Sequence, residues 1–205
     1  YSVKPDIRSP MASDTRTRMI ETTARLLQHR GYHGASLNEI LEASGAPRGS
    51  LYFHFPGGKE QLAIEATRAA VDEATQALAA VLAQSKTAAA GVRAYAEAAA
   101  QLMRESDYTF GCPVSPLILD ASGGVAELAK LCRDAFETWT GMIAAALNAA
   151  GLPKARAASL ALLSVTAIEG ALLAARAYRD IKPLMTVGAE LEAVLTAALP
   201  RRKRR

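Results

Sequence analysis

The chain has 205 residues, 50% apolar and 21% charged, a balance that excludes a disordered or polyelectrolyte chain. Its formal charge of +4 is uneven: eight basic against six acidic residues over 1–60, eleven against fourteen over 61–200, and five basic residues in 201–205, so only the two ends suit a polyanion. No apolar run reaches the ~18 uncharged residues of a membrane span, no leader pattern is read, two cysteines fit a reduced chain, and three histidines lack ligand spacing, so the expectation is a cytoplasmic protein with no membrane, metal or cofactor.

Residues 1–13 read as a tag or disordered arm and are left out of the fold. Asp14 or Thr15 can cap a first helix running to about Arg30, where Ile20, Ala24 and Leu27 make one apolar stripe and Gly31 suits a left-handed end. Ser36-Leu-Asn-Glu39 is a capping box, in which the serine takes the Glu39 N–H and the glutamate reaches back. That second helix runs to Ala43 and buries Leu37, Ile40 and Leu41; Gly45 breaks it. Pro47 suits a first turn, so a short third helix is expected from Arg48 to about Phe53. Pro56-Gly57-Gly58 is a turn, and a long helix follows from Lys59 to about Gln84. Further helices are expected at about 88–105, 114–121, 125–150, 154–179 and 184–199, with breaks at Ser106–Pro113, Ser122–Gly124, Gly151–Pro153 and Ile181–Pro183. The fold class is therefore all-α: a three-helix head over 14–60, a helical bundle over 61–200, and a basic tail over 201–205.

Two short helices around a glycine turn form a helix-turn-helix, which sets its second helix in the DNA major groove. Arg48 can bond a guanine bidentately, Gly49 lets the backbone approach, and Ser50 can donate or accept. Tyr52 and His54 can reach phosphates, as can Ser36 and Lys59 at helix N-termini; Asn38 joins this set of DNA contacts. Each has a plainer alternative: Arg48 as a solvated charge, His54 as a helix cap, Ser36 as a cap alone, Tyr52 as a core aromatic. Phe53 and Phe55 are assigned to packing, and Leu51 to the face against Leu27, Leu37 and Ile40.

The run G-Y-x-G-A-S-L-x-x-I, then S-G-A-x-x-G-S-L-Y-x-H-F and K-E-x-L, resembles the N-terminal domain of the TetR family of bacterial transcriptional regulators over about Arg16 to Ile64. Pro56–Gly58 is slightly longer than that family's usual gap. The resemblance implies an all-helical homodimer with a DNA-binding head and a larger regulatory body. Gly111-Cys-Pro-Val114, Trp139 and Ile168-Glu-Gly-Ala171 are similar to the LmrA/YxaF-like branch, which implies repression released by an aromatic or drug-like compound.

Effector sites are concave and mostly apolar. The candidates are Tyr95, Leu102, Phe110, Leu117, Phe136, Trp139, Ile143 and Ile168, although the stripe Phe136–Trp139–Ile143 equally suits a core. Glu169 is either an interface group or a pocket anchor. Cys112 has no basic neighbour to activate it as a redox sensor. A dimer surface is expected from Ala158, Leu162, Val165, Glu169 and Leu172 with Leu184, Val187, Leu191, Val194 and Leu195, a pattern that a monomer core would share. The function expected is a homodimeric repressor of a double-stranded operator, released by a small hydrophobic or aromatic effector. The alternatives are an activator or effector-independent regulator, or a helical enzyme or carrier. Against an enzyme, no paired carboxylates, no nucleophile with a base and no P-loop spacing are read.

Overall fold

The computed structural model describes residues 10–120 and 125–200, and all regular structure among them is α-helical. The arm 1–9, the expected break at Ser122–Gly124 and the tail 201–205 lie outside the described residues. In chain order the helices are α1 (Pro10–Gly34), α2 (Leu37–Ser44), α3 (Ser50–His54), α4 (Gly58–Gln84), α5 (Ala88–Glu105), α6 (Ser115–Asp120), α7 (Ala126–Ala149), α8 (Lys154–Tyr178) and α9 (Lys182–Ala198).

Capping chemistry sets several of these ends. Ser36 accepts the Glu39 N–H at 3.2 Å and starts α2. The Glu39 carboxylate does not return to the cap as expected; Arg30 holds it at 2.5 Å, because the end of α1 brings a guanidinium within reach. Thr87 caps α5 through the Ala90 N–H at 3.1 Å. Gly45, at φ 63°, closes α2 with a paired set of bonds: its own N–H to Glu42 and that of Ala46 to Leu41.

The structure corrects two boundaries. α1 begins at Pro10, upstream of Asp14 and Thr15, so neither residue is its cap; proline fits a first helical position, where its missing N–H costs nothing. Arg48 and Gly49 form a turn ahead of α3 rather than its first residues, with the Ser50 N–H bonded to the Pro47 carbonyl at 2.9 Å. At Gly31 the backbone takes φ 68°, ψ −173°, which breaks α1 and leaves one further turn to Gly34.

α1–α3 form the head. α5 packs on α9, α7 on α8, and α8 on α9 to make the body. α4 has 27 residues, about 40 Å at 1.5 Å per residue, and packs on α1 at one end and on α5 and α7 beyond. α6 bridges the parts by packing on both α1 and α7.

α8 is apolar and long enough for a membrane span by composition, yet nine of its residues, including Leu160, Ser164 and Ile168, are buried in the bundle. Its orientation corrects the expected dimer stripe. Val165 and Leu172 are buried inside the chain, as are Leu184, Leu191 and Leu195 of α9, and Glu169 is bonded inward to Ser115. Because α8 is apolar all round, sequence periodicity alone does not pick its inner face. The face left outside carries Leu162, Leu163 and Leu173, with Val194 on α9.

Candidate nucleic-acid interface and internal cavity

In the head, Leu51 and Phe55 are fully buried and fix α3 against the core, where Ile40 and Leu27 also lie. The opposite face of α3 is open. Tyr52 is 65% exposed and Phe53 77% exposed, so Phe53 is not the packing residue expected; the period of a five-residue helix that buries Leu51 and Phe55 turns position 53 outward. Arg48 is exposed and makes no hydrogen bond or ion pair among the described residues. Gly49 beside it has open space where a Cβ would stand. Ser50 donates its hydroxyl to the Pro47 carbonyl at 2.6 Å, which leaves its lone pairs outward. Ser36 and Asn38 are exposed at the start of α2, and His54 is half-buried, with its ring edge-on to Phe53.

Lys59 is engaged inside the head. Its Nζ donates to the Tyr32 carbonyl at 2.7 Å and lies 4.4 Å from the centre of the Tyr32 ring. Burial lowers its pKa from the ordinary lysine value, and Asp120 acts in the other direction. Tyr52 lies over Gly58, at 3.4 Å from where a Cβ would stand, and Gly58 has φ 63°.

The body holds a small cavity of about 20 Å³, room for about one water, lined by Leu78, Tyr95, Trp139, Ile143, Val165, Ile168 and Glu169. The cavity takes in four of the eight expected effector residues: Tyr95, Trp139, Ile143 and Ile168. The other four lie elsewhere. Leu102 is 46% exposed, because the buried stripe of α5 runs Val92–Ala96–Ala99–Met103 and leaves position 102 to one side. Leu117 is buried but off the lining. Phe136 is off the lining, its ring tilted 60° against that of Trp139 with centres 5.8 Å apart. Phe110 belongs to the loop that Arg176 grips, through the carbonyls of Thr109 and Phe110 at 2.5 and 3.1 Å. Gly111 makes that grip possible, since a Cβ there would stand 2.9 Å from Arg176 Nη2.

Glu169 accepts the Ser115 hydroxyl at 2.7 Å. Burial raises its pKa above the ordinary value, while hydrogen bonds from Ser115 and Cys112 pull it partly back. Burial also raises Tyr95, and pushes the Cys112 thiol up to about 12 with Glu169 adding to the shift. Cys112 and Cys132 are both free and buried.

A larger groove of about 380 Å³ lies between α4 and α7, with Arg68, Asp72, Thr75, Glu127, Lys130 and Asp134 along it. One hydrogen bond spans its floor: the Trp139 indole N–H donates to Thr75 Oγ1 at 2.9 Å. Thr75 faces the groove and Trp139 the cavity. Sequence reading missed Thr75 and Leu78 because α4 looked only like a connector, and missed Val165 because it was placed at a subunit surface.

Residues 19–66 match the profile of the bacterial regulatory proteins, tetR family. Residues 88–190 match that of the transcriptional regulator LmrA/YxaF-like, C-terminal domain. The chain is 34% identical over 194 residues to the HTH-type transcriptional regulator Rv0196 of Mycobacterium tuberculosis, covering 92% of this chain and 98% of that protein. It is 32% identical over 174 residues to the HTH-type transcriptional regulator LmrA of Bacillus subtilis, covering 85% and 93%. A TetR transcriptional regulator from Chloroflexus aurantiacus shares the fold at TM-score 0.78 and 24% identity, over 93% of this chain and 98% of that one. The TetR family regulator CifR, solved as a cysteine mutant with 26-bp operator DNA, shares it at TM-score 0.73 and 21% identity, over 90% and 96%.

Proposed function

The chain belongs to the TetR family of DNA-binding transcriptional regulators and carries an LmrA/YxaF-like C-terminal domain; from that premise we propose that it works as a cytoplasmic homodimeric repressor released from its operator by a small apolar or aromatic effector. The observation that carries this reading is that one helix serves both sites. α4 starts in the head at Gly58 and supplies Leu78 to the cavity and Thr75 to the groove. An effector that parts α4 from α7 therefore moves the head.

In this reading Arg48 reads a base edge, and Gly49 admits the backbone to the groove. Ser50, Tyr52 and His54 complete the α3 surface, while Ser36, Asn38 and Lys59 hold phosphates, which set position rather than sequence. Lys59 does so with the ammonium protons that Tyr32 leaves free. The exposed Leu162, Leu163 and Leu173 of α8, with Val194 of α9, pair with the same face of a second subunit. Two heads then enter major grooves about 34–36 Å apart on a roughly palindromic site. The effector acts by preferring the conformer with the wrong head spacing, and only to the extent of that preference.

Footprinting on the gene's own upstream region, with sedimentation of the free protein, tests the reading. A protected two-fold site and a dimer are expected. A strictly monomeric protein that protects no duplex overturns it.

A further inference from the structure

We propose that Glu169 anchors a positively charged nitrogen of the effector, which makes the effector a hydrophobic cation; the inference rests on reading this cavity as the effector site. The carboxylate lines the cavity, within an otherwise apolar wall. The Ser115 hydroxyl donates to it at 2.7 Å, and the nearby Cys112 thiol acts in the same direction on its pKa. Both favour the ionised form, against the burial that raises its pKa. Among the described residues no Lys, Arg or His pairs with it.

A carboxylate taken from water without a cation is costly, and the usual remedy is a paired charge. Here the space for that charge lies in the cavity. Trp139 and Tyr95 present rings to the same space, and an ammonium gains further from an aromatic face. Leu78, Ile143, Val165 and Ile168 supply the apolar wall for the rest of the molecule. A neutral guest would leave the carboxyl to the proton that burial favours, and an anionic one would be disfavoured.

The cavity is too small for such a guest as it stands. The Trp139 indole on the cavity donates to Thr75 on the larger groove, so a guest that swings the indole off Thr75 gains room toward that groove. Of the groove acids, Glu127 pairs with Arg68 and Asp134 with Lys130, while Asp72 has no ion pair among the described residues and favours the approach of a cation.

Calorimetric titration of the full chain with biphenylmethylamine, biphenylmethanol and biphenylcarboxylate tests the charge at nearly constant shape. Trp139 is the sole tryptophan of the sequence, so a shift in its emission places binding at the cavity. The amine is expected to bind about tenfold more tightly than the alcohol and the carboxylate most weakly. In Glu169→Gln the advantage of the amine over the alcohol should fall to about threefold or less. Equal binding of amine and alcohol by the unaltered protein, a preference for the carboxylate, or an amine advantage that survives Glu169→Gln would overturn the cation inference and leave an apolar effector site standing. No binding by any of the three removes the effector site itself, and this inference with it. The ordering in the unaltered protein decides the matter even if the variant does not fold.

Discussion

The Asp120 carboxylate accepts the backbone N–H of His33 at 2.6 Å, so the last residue of α6 is bonded to the end of the head. At its other end, Ser115 of the same six-residue helix donates to Glu169 at the cavity. α6 thus links α1 of the head to the cavity through a hydrogen bond at each terminus. Asp120→Ala should leave effector-free operator binding near its original level and weaken effector-driven release by about 2–10-fold, the equivalent of one partly exposed hydrogen bond of ~0.5–1.5 kcal/mol. Operator affinity measured with and without effector gives the coupling directly. Unaltered coupling would assign transmission to α4 alone.

Gly31 stands against the same carboxylate. Its φ of 68° with ψ −173° is a conformation that side chains resist, and a Cβ there would lie 2.8 Å from Asp120 Oδ2. Gly31→Ala should destabilise the fold by about 1–3 kcal/mol. For a chain of this size that is a fall in Tm of about 2–4 °C per kcal/mol, readable by thermal circular dichroism. An unchanged Tm would mean that the α1 break relaxes freely.

Arg48 and Lys59 should separate cleanly. Arg48 is exposed and without a partner among the described residues, so Arg48→Ala should remove the proposed base contact and cost about 1–3 kcal/mol on the operator alone, with no loss of Tm. Lys59→Ala removes a bond to the Tyr32 carbonyl as well as the proposed phosphate contact. It should weaken binding to all duplexes alike, lower the salt slope by about 1, and reduce stability as well. Equal effects of the two substitutions on every sequence would contradict these roles.

The outer face of α8 is the proposed subunit surface. Leu163 and Leu173 are 48% and 60% exposed, so charging them leaves the subunit core intact. Leu163→Glu with Leu173→Glu should give a folded monomer by sedimentation and abolish two-site operator protection. A dimer that survives both changes would move the interface elsewhere.

What was legible in the sequence is local. Ser36, Gly45 and Gly151 act on the backbone within a few residues, and the helices they bound lie close to where their pattern puts them. α5 falls on the expected residues 88–105. What was not legible depends on distant partners. Glu39 meets Arg30 from another helix, and Glu169 meets Ser115 from 54 residues away, so neither side chain's destination follows from its own neighbourhood. α8 failed for a different reason: its apolar residues surround the helix, and only the packing of α7 and α9 decides which of them are inside. The cavity was half legible because aromatic residues mark candidates, while the share of α4 in it needs the crossing of α4 and α7.

Glu169 also leaves a signature in stability against pH. Burial raises its pKa, so the native state holds the proton more tightly than the unfolded chain does. Between the unfolded value, near ~4.3, and the raised folded value, the native state binds more protons, and stability falls as pH rises. The contribution is therefore complete below the unfolded value and lost as pH passes through the folded one. Tyr95 and Cys112 beside it are shifted upward and stay neutral across that window, so they add no opposing slope. Glu169→Gln carries no proton to release, and its stability should be the flatter function of pH. Urea unfolding of both proteins at several values between pH 4 and 8 should show their difference shifting in favour of Gln as pH rises. Parallel curves would mean that the carboxylate is hydrated in the folded protein, through the groove that Trp139 and Thr75 close.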